Sequence, residues 1–258
     1  MYAYILHAHQ KLDRAAYNKL MSIDEQNKRF PSLQQILHFE GRNGPDAPKL
    51  KRAPHVQPWH FVDPYDVHDT DLVQQIQRHH DELVLALKNN DMVRGAFEAA
   101  WLAHAIVDGL TPAHHYPYEQ ELAALRGQER HTRNGLLARI YVQGEGIGQS
   151  IVKSFRLVGP KGLLSTHALF EGGAAAIILP LRFSSANPTA EELALLKSNG
   201  TAGMFSSFAK DIAELNLYGR FYVTGWTPRL ARDIRRELAP RMVRAITLAW
   251  YAALMESS

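Results

Sequence analysis

The chain has 258 residues, 46% of them hydrophobic and 21% charged, with a net charge of only +3. This balance suits a globular protein with a full core and lacks the basic excess of a dedicated nucleic-acid binder. Histidine occurs thirteen times and cysteine not at all, which excludes disulfides and thiolate metal sites and leaves nitrogen and oxygen ligands for any metal.

The longest apolar run, residues 174–181, is far too short to span a bilayer. The N-terminal stretch lacks a basic leader and a cleavage motif. The expectation is a cytoplasmic protein with no transmembrane segment and at most a transient contact with a membrane surface.

Residues 2–21 predict a first helix. Ile5, His9, Leu12, Ala16 and Leu20 fall on one stripe, with His9 inside it and His7 off it. A second short helix is expected over residues 32–39. From Glu40 to His68 the pattern changes to a loop carrying Pro45, Pro48, Pro54, Pro58 and Pro64. A loop this long is either functional or disordered, and Trp59, Phe61 and Tyr65 favour packing. Its candidate polar groups are Asp46, His60 and Asp63.

Helical periodicity resumes at Thr70 with Leu72, Ile76, Leu83 and Leu87; His79 and His80 flank that stripe and read as structural. Asn89-Asn90 forms a turn into a central helix that should stop near Gly109, ahead of Pro112. His104 and Asp108 stand four apart on one face, where an imidazole and a carboxylate can chelate a divalent cation. His114 lies beyond the break and can face the same space.

Residues 118–125 predict a short helix. Residues 128–158 read as mostly helical with a break at Gly144, Gly146 and Gly148, which follow no clear strand and so make a weak nucleotide-binding signal. Residues 162–178 form another helix, in which His167 and Glu171 repeat the four-residue chelating spacing. Thr189 and Glu192 make a capping box, and Thr227-Pro228 opens the closing helical region. Pro240 should kink or split that region. No segment alternates as a strand, so the fold class is all-α, a single multi-helix domain over residues 1–258.

The set His104-x3-Asp108-x5-His114 followed by His167-x3-Glu171, with Asp46 and His60 fourteen apart in the loop and His9 in the first helix, resembles the zinc-dependent phospholipase C family. That family shares its all-α fold with the zinc-dependent single-strand nucleases. The resemblance covers about residues 5–171, with a weaker match near residues 242–254. It implies a hydrolase of phosphodiesters with two to three zinc ions. His60, His104 and Asp108 would hold the first, His114, His167 and Glu171 the second, and His9 with Asp108 the third. Asp46 would be the general base or a further ligand of the first ion. The implied substrate is a phospholipid or a nucleotide or single-stranded nucleic acid. A phospholipid would meet the apolar run at 174–181; a nucleic acid would meet Trp59, Tyr116 and Tyr118 beside Lys49, Lys51 and Arg52. A non-catalytic protein with a structural metal site is the reading from another class.

Overall fold

Residues 2–23, 29–41, 43–45, 60–117, 121, 124–125, 147–159 and 161–258 are described by the computed structural model. Leu12, Ala16 and Leu20 are buried along one face of the first helix, α1 (Tyr2–Ile23). His9 continues that face into the interior, and His7 is exposed. The second helix, α2 (Leu33–Glu40), is started by Ser32, which accepts from the Gln35 amide while the Gln35 side chain accepts from the Ser32 amide. This reciprocal pair satisfies two otherwise orphaned donors. Burial of Ile36 and Glu40, one turn apart, fixes the face that α2 turns inward.

Next come α3 (Asp71–Lys88) and α4 (Met92–Leu110), joined by a tight turn in which Asn90 takes a positive φ of 56°. Asn is among the few side chains that tolerate this region. Leu72, Ile76, Leu83 and Leu87 form the predicted buried stripe of α3. His79 donates into Glu98 of α4 at 2.5 Å inside the packed face, as a structural pair. From Gly95 to Leu110 nearly every side chain of α4 is buried, and the helix packs against α2, α3 and the last helix, α10 (Ala239–Glu256).

The helix ends at Leu110, next to Gly109 as the sequence predicts, and Gly109 also serves packing: a Cβ there would lie 2.4 Å from Phe205 and 2.7 Å from Leu72. The chain then turns through Thr111 into a 3₁₀ turn, Pro112–His115. Proline suits that first position because its missing amide would be unpaired anyway.

Further on are α5 (Ile147–Val158), α6 (Leu163–Ile178), α7 (Ala190–Glu214), α8 (Leu217–Thr224) and α9 (Pro228–Asp233). Thr189 and Glu192 form the predicted capping box of α7. Gly200, at φ 67°, breaks α7 internally, in a conformation that glycine adopts without steric penalty. A wide π-turn, Ile234–Leu238, joins α9 to α10 and splits the closing helical region just before Pro240. The element that gives up the regular hydrogen-bond ladder lies where proline has no amide to donate.

No strand occurs among the described residues; the chain is all-α. One hydrophobic core runs from α1 through α3, α4, α6 and α7 to α10, with Trp250 at its centre donating to the Ala99 carbonyl at 3.0 Å. Ala174, Ala175 and Ile178 belong to it, with Ile177 and Leu181 half-buried against it, while Ala176 and Pro180 of the apolar run proposed as a lipid contact are exposed. No described helix is long and apolar enough to cross a membrane.

Candidate metal centre

Four elements converge on one polar region inside this apolar frame. His9 comes from α1, Glu40 from the end of α2, and His104 and Asp108 from the last turns of α4. His114 comes from the 3₁₀ turn that follows, and His167 and Glu171 come from α6. Two sets among the described residues bring ligand atoms within 4.8 Å of one another: His9, Glu40 and His104, and His114, His167 and Glu171.

In the first set the rings of His9 and His104 stack at 4.3 Å. Both turn Nδ1 towards Glu40 Oε1, at 3.6 and 2.9 Å. Both turn Nε2 towards Asp108, His9 at 3.6 Å from Oδ1 and His104 at 3.3 Å from Oδ2. The edge of a tetrahedron of ligands about 2.0–2.1 Å from zinc is roughly 3.4 Å, so the Nε2–Asp108 side has the spacing of a zinc site. The shorter approach to Glu40 is a hydrogen bond of the kind that fixes the tautomer of a ligating histidine. Glu40, fully buried, therefore orients the His104 ring from behind, while His9 Nδ1 faces the same oxygen at 3.6 Å.

Glu40 and Asp108 sit in the last turns of their helices, where the partial negative charge of the helix end disfavours a carboxylate. Cationic charge must offset this. Burial opposes a charged His104, but the flanking Glu40 and Asp108 outweigh it and raise its pKa well above the ordinary value. Asp108 is lowered well below its ordinary range: burial alone would raise it, and the attraction of His104, then His114 and His9, prevails. Behind Glu40 lies Asp13 of α1, 1% exposed, with Oδ2 unpartnered. Burial first, then the Glu40 carboxylate, raises its pKa well above the carboxylate range.

In the second set His114 Nδ1 donates to the backbone carbonyl of Asp108 at 2.8 Å. In the neutral ring Nε2 is then an acceptor, yet it faces Glu171 Oε1 at 2.9 Å. His167 Nε2 lies 3.1 Å from the same oxygen, and the two rings stack at 5.2 Å. Two acceptors at 2.9 Å repel unless a proton or a cation lies between them. Burial would raise the pKa of Glu171, but His167 and His114 together hold it well below the ordinary range. Glu171 is 20% exposed along its side chain, so this set reaches the surface.

Asp108 links the two sets through its carboxylate on one side and its carbonyl on the other. A small cavity of about 40 Å³ lies between them, lined by His9, Asp108 and Glu171 and closed by Phe170, Ile178 and Met242. It has room for about one water or small ion. The nitrogen and oxygen donors, the buried carboxylates and the facing acceptors suit a divalent cation such as zinc.

His60, grouped with His104 by the resemblance, has its ring against His114 at 4.9 Å and against Phe61 at 4.4 Å. Asp46, Trp59, Tyr118, Lys49, Lys51 and Arg52 lie outside the described residues. The 3₁₀ turn aims His115 away from the donors: its Nε2 donates to the Gly109 carbonyl at 2.8 Å, and burial lowers its pKa to about 4. Sequence reasoning misses Glu40 and Asp13. His9-x3-Asp13 repeats the spacing of His104-x3-Asp108, and Glu40 follows buried Ile36 by one turn; both signals are in the sequence.

Compared with known proteins, the chain matches no family model, no curated protein and no solved structure.

Proposed function

We propose that the chain is a zinc-dependent hydrolase of phosphodiesters. The observation that carries this reading is the pair of histidine–carboxylate sets joined through Asp108. Its support from sequence is the resemblance of His104-x3-Asp108-x5-His114 and His167-x3-Glu171 to the zinc-dependent phospholipase C motifs. His9, His104 and Asp108 would hold one ion, and His114, His167 and Glu171 another. Bound zinc would supply positive charge for the phosphoryl oxygens and a lowered pKa for water.

The chain's own residues do the rest. Glu40, bonded to His104 Nδ1, keeps the Nε2 atom of His104 turned towards Asp108. The Asp108 carbonyl fixes the tautomer of His114. Phe170, Ile178 and Met242 keep bulk water from the inner side, which strengthens every charge interaction there. The exposed edge of Glu171 leaves the second set open to substrate, and an open ligand position is what separates a catalytic site from a structural one. Asp46 is proposed as the general base from the resemblance alone.

The test is elemental analysis of protein stripped with chelator and reconstituted with zinc, followed by turnover of bis(p-nitrophenyl) phosphate. Two to three zinc ions per chain and chelator-sensitive turnover are expected. Metal-free protein after reconstitution sinks the reading, and tightly bound zinc without turnover replaces it with a structural metal site.

A further inference from the structure

Beside the second histidine set lies a cleft of about 560 Å³, a volume suited to a small organic ligand. Tyr116, two residues after His114, and Tyr218 and Tyr222 of α8 form one wall. Thr166, which precedes His167 on α6, lines it too. Between the cleft and the histidines sits a small apolar core of Phe61 and Leu157, with the Phe61 ring 5.3 Å from His114 and 6.2 Å from His167. The cleft and the metal centre are therefore neighbours, separated by this apolar core.

Its charge is one-sided. Lys153 and Arg156 of α5 and Lys161 of the following turn line it, against Glu121 alone among the acids of the described lining. None of the three cations makes an ion pair with a carboxylate of the described residues. The phenols of Tyr116 and Tyr218 line the same cleft and can donate to an anion. Lys161 holds a positive φ of 62°, a conformation disfavoured for lysine; Asn or Gly would suit this backbone better.

We propose that this cleft binds a phosphate monoester carried by the substrate, its organic body against the tyrosine wall, while the scissile diester lies at the neighbouring histidine sets. The placement of the diester rests on the hydrolase reading; the anion site itself does not.

The test is a calorimetric titration of phenyl phosphate, with phenol as the neutral control, into chelator-stripped protein. The variant is Lys153→Gln/Arg156→Gln/Lys161→Gly, in which the glycine removes a cation and relieves the backbone at once. The wild type should bind phenyl phosphate and not phenol. The variant should bind about tenfold more weakly for each charge-assisted hydrogen bond removed, with zinc content and melting temperature retained. A parallel arm uses phosphatidylcholine vesicles with and without phosphatidic acid, which bears the same monoester. A variant that fails to bind phenyl phosphate alone identifies a soluble ligand; failure to bind both identifies a lipid headgroup, and either supports the cleft. Equal affinity of variant and wild type, or wild-type binding of phenol as tight as of phenyl phosphate, overturns it. A variant that no longer binds phenyl phosphate, while zinc-loaded wild type cleaves no diester, overturns the hydrolase reading and upholds the cleft.

Discussion

In the proposed metal site Asp108 would hold a cation and Glu40 would aim a ligand, His104, at it. Asp108→Asn removes the negative charge that both Nε2 atoms face, so the zinc-reconstituted variant should lose at least one ion by elemental analysis and melt earlier, since a metal bound only by the folded state adds to stability. Full retention of zinc and melting temperature would show that Asp108 joins nothing. Glu40→Gln keeps the shape but weakens the hold on His9 and His104. Zinc affinity measured by competition with a chelator should fall ~10–100-fold, as for other partners of metal-bound histidines. The metal-free protein carries a pH signature of the same groups. Asp108 and Glu171 have folded pKa values below their unfolded ones, so their stabilisation is full above about pH 4 and is lost as pH falls through the folded values. His104 has a raised folded pKa, so its contribution is full below about pH 6.5 and is lost as pH rises through the folded value. Urea midpoints of stripped protein should therefore fall towards both acid and alkali. Zinc should flatten the alkaline limb, because it would supply the positive charge that protonated His104 provides between the Glu40 and Asp108 carboxylates.

At the scale of the helix, two glycines give opposite forecasts from similar clashes. A Cβ on Gly109 meets Phe205 at 2.4 Å and Leu72 at 2.7 Å, both fully buried. With nowhere for either to go, Gly109→Ala should cost about 1–3 kcal/mol in urea denaturation, as overpacking does. A Cβ on Gly173 meets Trp226 at 2.1 Å, but Trp226 is at the surface, 37% exposed, and can swing away. Gly173→Ala should cost clearly less than Gly109→Ala; equal costs would show that Trp226 is as fixed as Phe205. The contrast also marks what is legible in the sequence. The stripes of α1 and α3, the caps of α2 and α7 and the histidine–acid pairs of α4 and α6 are local patterns, and they appear where periodicity puts them. The packing role of Gly109 is not legible, because it depends on Phe205, a neighbour almost a hundred residues away. Glu40 escapes notice because it ends one helix and orients a ring on another, and His60 cannot be placed from spacing because a loop, unlike a helix, sets no direction for its side chains.

Over the whole molecule, the donors join helices that are distant in sequence. Stripping zinc should therefore loosen α1 and α6, which supply His9 and the His167–Glu171 pair, more than α3 and α10, which are held by the apolar core. Amide hydrogen exchange with and without zinc measures this; uniform acceleration across all helices would mean that the site and the core open together. Trp250 and its bond to Ala99 supply an internal reference for the core.

The seating of α1 sets the order of events in making the protein. α1 lies against α10, with Thr247 Oγ1 reaching the Ala16 carbonyl at 3.4 Å. The helix that carries His9 thus completes its packing once α10 has docked on it. A nascent chain already displaying His104, Asp108 and His114 presents scattered ligands, each able to pick up a stray ion with the wrong partners. In the proposed hydrolase, ordered metal loading would then follow the docking of α10 on α1.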